Sequence, residues 1–336
     1  MKKNIKIGII GLGYWGPNLL RNFQSSKHCH VTYVCDINKK ILDNIKKNNP
    51  LISTTTNYKE LIKNSKVDAV VISTPIKTHY EISLDCIKNG KHIFVEKPLS
   101  DSIKKAREIV IKAKRKNLTL FVDHTFIYTD SIIKIKKLLE KKAIGKLLYY
   151  DSTRINLGLF QDDANVLWDL AVHDISILLY LMNSMPISVS ATGHSHIKNK
   201  PENIGFITLK FKNNFVAHIN VNWLSPVKIR QTLIGGSKKM IVYNDIEPSE
   251  KIKIYDKGIT ENWERKKLFI SYRTGDSVIP HLDNSEALSR ASDHFIHCIL
   301  HNKTPITDGN IGLKVVSIIE TAIKSMKKNG VSIKIK

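Results

Sequence analysis

Ile5-Lys6-Ile7-Gly8-Ile9-Ile10-Gly11-Leu12-Gly13-Tyr14-Trp15-Gly16-Pro17 decides the fold. Residues 5–10 form an apolar run broken only by Lys6, the pattern of a parallel strand buried on both faces. The run ends in Gly11-Leu12-Gly13-Tyr14-Trp15-Gly16, which fits G-x-G-x-x-G, and a helical pattern over Trp15–Gln24 follows. Three glycines in six residues recur by chance; the strand before and the helix after make them a dinucleotide-binding loop. Gly11 supplies the tight turn, Gly13 lets the backbone approach a pyrophosphate, and Gly16 lets helix pack against strand. The helix N-terminus offers unpaired N–H groups to the anion. Pro17 is tolerated there because that N–H has no intrahelical partner in any case. Tyr14 and Trp15 share the loop and count among the expected cofactor contacts.

Outward from the loop, strand and helix patterns alternate. His30–Cys35 reads as the second strand and Ile37–Lys47 as a helix. Ser53–Thr56 is a short third strand, and Tyr58–Lys63 a helix. Asp68–Ser73 is the fourth strand, and Thr78–Asn89 a helix stopped by Gly90. His92–Val95 is the fifth strand, a helix capped by Ser100 or Asp101 runs to about Lys116, and Leu118–Val122 is the sixth strand. Such alternation predicts a doubly wound parallel sheet, a Rossmann domain over residues 1–123. Asp36 ends the second strand roughly 20 residues past the loop, where a carboxylate accepts from the adenosine ribose hydroxyls. That favours NAD over NADP, whose 2′-phosphate it repels, although Lys39 and Lys40 lie nearby. Ser73-Thr74-Pro75, with His79 shortly after, and Glu96-Lys97-Pro98 follow the fourth and fifth strands, where an open α/β sheet places its ligand crevice.

The rhythm changes near residue 124. Helical stretches at Ser131–Lys141 and Val166–Met182 precede alternating runs at Ile187–Gly193, Ile204–Phe211, Phe215–Trp223, Ile229–Gly235, Lys239–Tyr243 and Lys251–Tyr255. Turns at Asn213-Asn214 and Gly235-Gly236 join successive strands, predicting a large, mostly antiparallel sheet. Helices near Ser285–Leu300 and Gly309–Lys328 close the chain. Residues 124–336 therefore read as one α+β domain for substrate binding and oligomerisation.

The 336 residues suit two domains. The formal net charge is +23. The lysines are spread along the whole chain, however, which argues for a solvated surface and against nucleic acid; the positive field favours anionic ligands. No apolar stretch approaches the roughly 20 residues of a membrane span, and nothing at the start reads as a signal peptide. The expected location is the cytoplasm, with no membrane partner. Cys29, Cys35, Cys86 and Cys298 fall in no metal-type spacing and read as structural thiols. His294, His297 and His301 share a helix face without an acidic or cysteine partner, so no metal is expected.

GLGYWG near the start, STP followed by His79, EKP after the fifth strand, and Asp169 four residues before His173 together resemble the glucose–fructose oxidoreductase/inositol dehydrogenase/MocA family. The resemblance covers nearly the whole chain. Arg154-Ile155-Asn156-Leu157-Gly158 and Val166-Leu167-Trp168-Asp169-Leu170-Ala171-Val172-His173-Asp174 are similar to members acting on nucleotide-activated sugars, most of all UDP-N-acetylglucosamine 3-dehydrogenases. Val172 departs from the pattern, which has proline there; the helix geometry is expected to change slightly without loss of a catalytic group.

The resemblance implies oxidation of a secondary hydroxyl of a nucleotide sugar with NAD (NADP remaining possible), in a homodimer or homotetramer built on the second-domain sheet. Lys97, Asp169 and His173 are the expected catalytic set. An imidazole titrating near ~6.5 suits a general base at neutral pH. Asp169, four residues away on one helix, orients His173 or the substrate. Lys97 holds the reacting oxygen as charge develops. In the family either the lysine or the histidine serves as base; His173 is favoured here. The same resemblance places Arg154, Asn156 and the 223–230 segment, with Lys228 and Arg230, near the sugar or its diphosphate, where an arginine fork suits phosphate. His124 reads as structural or cofactor-adjacent. Two alternatives stand beside this: reduction of a keto sugar by the same residues, and a dinucleotide-binding regulator without turnover, against which the intact Lys97, Asp169 and His173 argue.

Overall fold

The computed structural model describes residues 4–158, 160, 164–264, 267–283 and 285–335. The chain divides into two compact units, one of residues 1–128 and 285–317, the other of residues 129–284 and 318–336.

The first unit carries strands β1 (Ile5–Ile10), β2 (Cys29–Cys35), β3 (Ser53–Thr55), β4 (Ala69–Ile72), β5 (His92–Glu96) and β6 (Leu120–Asp123). Between them run α1 (Gly16–Ser25), α2 (Lys39–Asn48), α3 (Tyr58–Lys63), α4 (Ile76–Lys88) and α5 (Ile103–Arg115). The sheet order is β3-β2-β1-β4-β5-β6 with every neighbour parallel, so the predicted doubly wound sheet is present. The order reverses between β1 and β4. At that switch point the connections leave on opposite faces and a crevice opens at the strand carboxyl ends. Ile7, Ile9, Val70, Val71, Ile93 and Val95 are at most 1% exposed, as strands covered on both faces require.

The second unit begins with α6 (Asp130–Glu140) and β7 (Leu147–Leu157), followed by a π-helical turn at Leu167–Ala171 that leads into α7 (Val172–Met182). Then come β8 (Ser188–His194), β9 (Ile204–Lys210), β10 (Val216–Asn222), β11 (Leu224–Gly236), β12 (Met240–Asn244), β13 (Ile252–Tyr255), β14 (Gly258–Glu264), β15 (Lys267–Arg273) and β16 (Ser277–Val278). The main sheet runs β16-β13-β12-β11-β7-β10-β9-β8 and takes β17 (Ile333–Lys334) at its far edge. Pairing is antiparallel except between β7 and β10. The central strand β7 is absent from the alternating runs named above. Its buried positions are Tyr150, Ser152 and Arg154, and a polar set at inward positions hides the period-two signal. The β14–β15 hairpin likewise goes beyond the sequence reading.

Helices α8 (Ala287–Leu300) and α9 (Gly309–Met326) follow. The sequence reading divides the chain once, at 123/124, but α8 returns to the first unit. The cause is aromatic. Phe295 packs against Phe94, Phe121 and Phe23 with ring centroids 5.5, 5.8 and 6.3 Å apart, and Phe94 stacks on Phe121 at 4.6 Å. All four rings are fully buried. The four cysteines are buried free thiols. Among the described residues no helix is long and apolar enough to cross a membrane, and no group of three His, Cys, Asp or Glu side chains is placed to hold a metal.

Candidate active site

Each glycine of the loop has a different physical duty. Gly11 sits at φ +91°, and an added Cβ would lie 2.6 Å from Ser73 O, so both conformation and space exclude a side chain. A Cβ on Gly16 would stand 2.4 Å from Gly11 O, where the first turn of α1 closes on β1. A Cβ on Gly13 would meet nothing within 4 Å; its bare backbone faces open space. Tyr14 and Trp15 flank this space, 81% and 49% exposed, with rings edge-to-face at 5.6 Å. Trp15 provides no side-chain cap to α1; Pro17 has no N–H and Asn18 N–H donates to Trp15 O at 3.0 Å, so the Gly16 N–H is the one the first turn keeps for an anion. An open backbone cradle beside an uncapped helix start fits a dinucleotide pyrophosphate.

Asp36 follows β2 and braces the loop from the other side. Its Oδ2 accepts from Leu12 N–H at 2.7 Å and its Oδ1 from Asn38 N–H at 2.8 Å. Each oxygen has lone-pair capacity beyond these bonds, so bracing the loop is compatible with the expected ribose contact. Ser73 locks β4 to the loop by donating to Gly11 O at 2.6 Å, and Thr74 Oγ1 accepts from Thr78 Oγ1 at 2.6 Å. Pro75 is exposed at the start of α4.

His79 is 1% exposed and lies behind these loops, its Nε2 2.8 Å from Thr74 O and its Nδ1 2.9 Å from Pro98 O. It clamps the segment after β4 to the segment after β5, and reaches a ligand only through the loops it holds. Burial pushes its pKa down against the opposing pull of the two carbonyls. Glu96 and Lys97 follow at the end of β5, with Lys97 N–H donating to Glu96 Oε2 at 3.2 Å. Asp123 ends β6 and His124 follows it, 2% and 1% exposed. The cofactor residues expected from sequence thus stand at the loop or the strand carboxyl ends of one sheet, except His79, which lies on α4 behind them.

In the second unit, Asp169 lies in the π turn and His173 in the first turn of α7. The turn closes through Val172 N–H, which donates to Leu167 O, five residues back. A proline at 172 has no such donor, so the valine permits a local widening of the helix. Gly205 gives the turn room, since a Cβ there would meet Leu167 Cδ1 at 2.5 Å. The indole Nε1 of Trp223 donates to Asp169 Oδ2 at 3.0 Å from a ring only 1% exposed. Gly158 makes that ring position available: a Cβ would lie 2.3 Å from Trp223 Cδ1. This Gly158–Trp223–Asp169 support, around a carboxylate expected to be catalytic, is an arrangement sequence reasoning missed. Trp223 and Asp169 are 54 positions apart, and no local pattern links them.

The residues expected around the sugar divide. Arg154 is 2% exposed and paired with Asp174, Nε to Oδ2 at 2.7 Å and a second guanidinium nitrogen to Oδ1 at 3.3 Å. Arg230 opposes Arg154 across the β7–β11 ladder and pairs with Asp245 at 3.3 Å. Both forks hold carboxylates of their own unit and brace α7 and the β12 end. Asn156 and Lys228 have a different setting. The ladder jumps from Leu157↔Leu224 to Ile155↔Ile229, so residues 225–228 bulge opposite Asn156 and leave Lys228 exposed. Bulges of this kind re-aim side chains beside active sites.

Comparison with known proteins agrees with this architecture. Residues 5–124 match the model of an oxidoreductase family described as an NAD-binding Rossmann fold, and residues 132–242 match the GFO/IDH/MocA C-terminal domain. A curated relative, the scyllo-inositol 2-dehydrogenase (NAD(+)) of Bacillus subtilis, is 24% identical over 94% of this chain and 93% of its own. The solved UDP-N-acetylglucosamine 3-dehydrogenase of Acidithiobacillus ferrooxidans has a TM-score of 0.82 at 19% identity, covering 97% of this chain and 98% of that one. A levoglucosan dehydrogenase solved with NADH and levoglucosan has a TM-score of 0.81 at 18% identity, covering 99% and 100%. At such identities the two structures share the fold with this chain.

Proposed function

The chain belongs to the GFO/IDH/MocA family of NAD(P)-binding oxidoreductases, and from that premise we propose that it oxidises a secondary hydroxyl of a nucleotide-activated sugar, C3 of UDP-N-acetylglucosamine being favoured. The observation that carries the reading is the Asp169–His173 helix start in the second unit, with Asp169 held by the buried Trp223 indole. A carboxylate fixed in this way, four residues before an imidazole, suits proton removal from an alcohol. A lysine exposed in the bulge opposite Asn156 suits an anionic handle on the substrate.

A nicotinamide dinucleotide held at the glycine loop would supply the acceptor for the hydride of the carbinol carbon. The chain's own groups manage the proton and the charge. Nδ1 of His173 is shielded, so Nε2 is the atom that takes the hydroxyl proton. Asp169 orients the imidazole or the sugar. Lys97 donates to the reacting oxygen and stabilises its negative charge as the proton departs. Asn156 and Lys228 hold the sugar or its diphosphate. The bonds of Asp36 to Leu12 of the glycine loop and to Asn38 support NAD as the preferred form, because a 2′-phosphate would meet a carboxylate already fixed in place. Reduction of the matching keto sugar uses the same groups in reverse.

The test is NADH formation with purified protein and a panel of UDP- and dTDP-sugars beside free inositols. Turnover confined to nucleotide sugars is the expected result. Turnover with inositols alone would move the substrate to free polyols. Tight cofactor binding with no turnover on any of them would leave only a dinucleotide-binding regulator.

A further inference from the structure

At the carboxyl ends of β5 and β6, Glu96 and Asp123 are partners in register on adjacent parallel strands, so their side chains leave the sheet on the same face as neighbours. A carboxylate only accepts hydrogen bonds. A bond between two carboxyl groups therefore contains a proton. Glu96 is raised further than Asp123, which assigns the proton to Glu96, and the neighbouring bonds indicate which oxygens meet. Asp123 Oδ1 accepts from Thr125 Oγ1 at 2.7 Å, which leaves its other oxygen toward Glu96. Glu96 Oε2 accepts from Lys97 N–H, which leaves the other Glu96 oxygen to carry the proton toward Asp123.

We propose that Glu96 and Asp123 form a one-proton carboxyl pair that balances and seats the Lys97 ammonium, with Asp123 a positioning residue for that lysine. The proposal rests on the reading of Lys97 as the group that holds the reacting oxygen.

The surrounding charges are consistent with one proton. Burial pushes Glu96 well above the usual carboxylate range, the charge of Asp123 adds to the rise, and Lys97 opposes it. Burial pushes Asp123 up to about 6 against its bonds to Thr125 and Glu96 and the charge of Lys97. His124, just after β6, is pushed down to about 3, first by burial and then by Lys97, so it is neutral and cannot balance the pair. Among the described residues its ring nitrogens have no hydrogen-bond partner. On the α4 side His79 is bonded to Pro98 O and feels the charge of Asp101. Near neutral pH the cluster thus holds one carboxylate, one carboxylic acid and one ammonium, with no net charge. Loss of the shared proton would set two carboxylates against one ammonium. The extra attraction draws Nζ of Lys97 onto the pair and away from an alkoxide, so activity falls on the alkaline side.

Asp123→Asn separates this from a purely structural role. The amide still donates to Glu96, which then stays ionised; the net charge of the one-proton state is retained with no shared proton to lose. Two readouts apply. Infrared spectra of protein labelled with carboxyl-¹³C Glu should show a protonated carboxyl stretch near neutral pH that vanishes in Asp123→Asn. The alkaline limb of the kcat profile should be lost or moved upward in the variant. A wild-type spectrum without the stretch overturns the proposal, and so does an alkaline limb that stays in place. If Asp123→Asn does not fold, the pH titration of the labelled stretch in the wild type decides, since a Glu96 that ionises in the ordinary range also overturns it. The infrared arm needs no substrate, so failure of the sugar reading and failure of the pair are distinguishable.

Discussion

His79→Leu should weaken the first unit by an amount that depends on pH, and the sign of that dependence tests how the clamp works. The leucine keeps most of the ring's volume and the helix propensity of α4 while removing both nitrogens. In the wild type these nitrogens face two carbonyls, Thr74 O at 2.8 Å and Pro98 O at 2.9 Å, from a residue 1% exposed. Carbonyls only accept, so a neutral ring makes one of the two bonds, and both form only on an imidazolium. Burial is the stronger influence and lowers the ring's pKa, so at pH ~8 the clamp is one hydrogen bond. Its loss leaves a buried carbonyl without a donor and costs about 1–3 kcal/mol.

Below the unfolded-state value of ~6.5 the unfolded chain takes up a proton that the folded ring resists. Wild-type stability therefore falls by about 1.4 kcal/mol per pH unit until the lowered folded value is reached. The variant has no such loss. By pH ~5 the wild type has therefore lost part of its advantage, and the gap between the two proteins should be narrower than at pH ~8. Amide exchange in β4 and β5, measured with and without the substitution at both pH values, reads the opening free energy of this unit directly. A stability difference that grows in acid would refute the reasoning, because it would mean a charged ring bridging both loops.

Lys97→Ala and His173→Ala should each lower kcat by about 10²–10⁴-fold with little change in NAD affinity; steady-state kinetics with near-normal turnover in both would remove the proposed roles. Trp223→Phe keeps the ring against Gly158 but removes the donor to Asp169. A hydrogen bond to a charged group is worth about 1.5–3 kcal/mol, so kcat should fall about 10–100-fold, and an unchanged kcat would make the indole purely a packing element. Asp36→Ala should shift the ratio of NAD to NADP affinity toward NADP, and titration showing the same ratio would take Asp36 away from the ribose. For the carboxyl pair, raised folded-state values mean that the native state holds protons the unfolded chain releases, so stability drops as pH rises above the unfolded range near ~4. Asp123→Asn should therefore gain on the wild type by up to about 1.4 kcal/mol per pH unit between pH ~4 and ~6 in urea titrations; parallel curves would contradict the shift.

Much of the first unit was legible because its signals are local. An apolar strand, a glycine loop and a helix start lie within residues 5–24, and Asp36, Ser73 and Lys97 fall directly after strands that their own composition announces. Parallel order and the position of the crevice follow from alternation, since a βαβ crossover has one favoured hand. In the second unit the alternating runs also announced themselves, apart from β7, whose inward face carries Ser152 and Arg154. The same arginine shows where pattern reading stops. Its type suits phosphate, but Asp174, 20 residues away, holds it in the interior.

The sequence by itself determined that this chain builds a Rossmann sheet with a nucleotide loop, because strand period, glycine conformation and helix start are properties of neighbouring residues. The tertiary structure alone decided which side chains share a proton or a hydrogen bond. It placed Glu96 beside Asp123, His79 between two carbonyls and Trp223 against Asp169. Such pairs depend on register and burial, which arise only when distant strands meet.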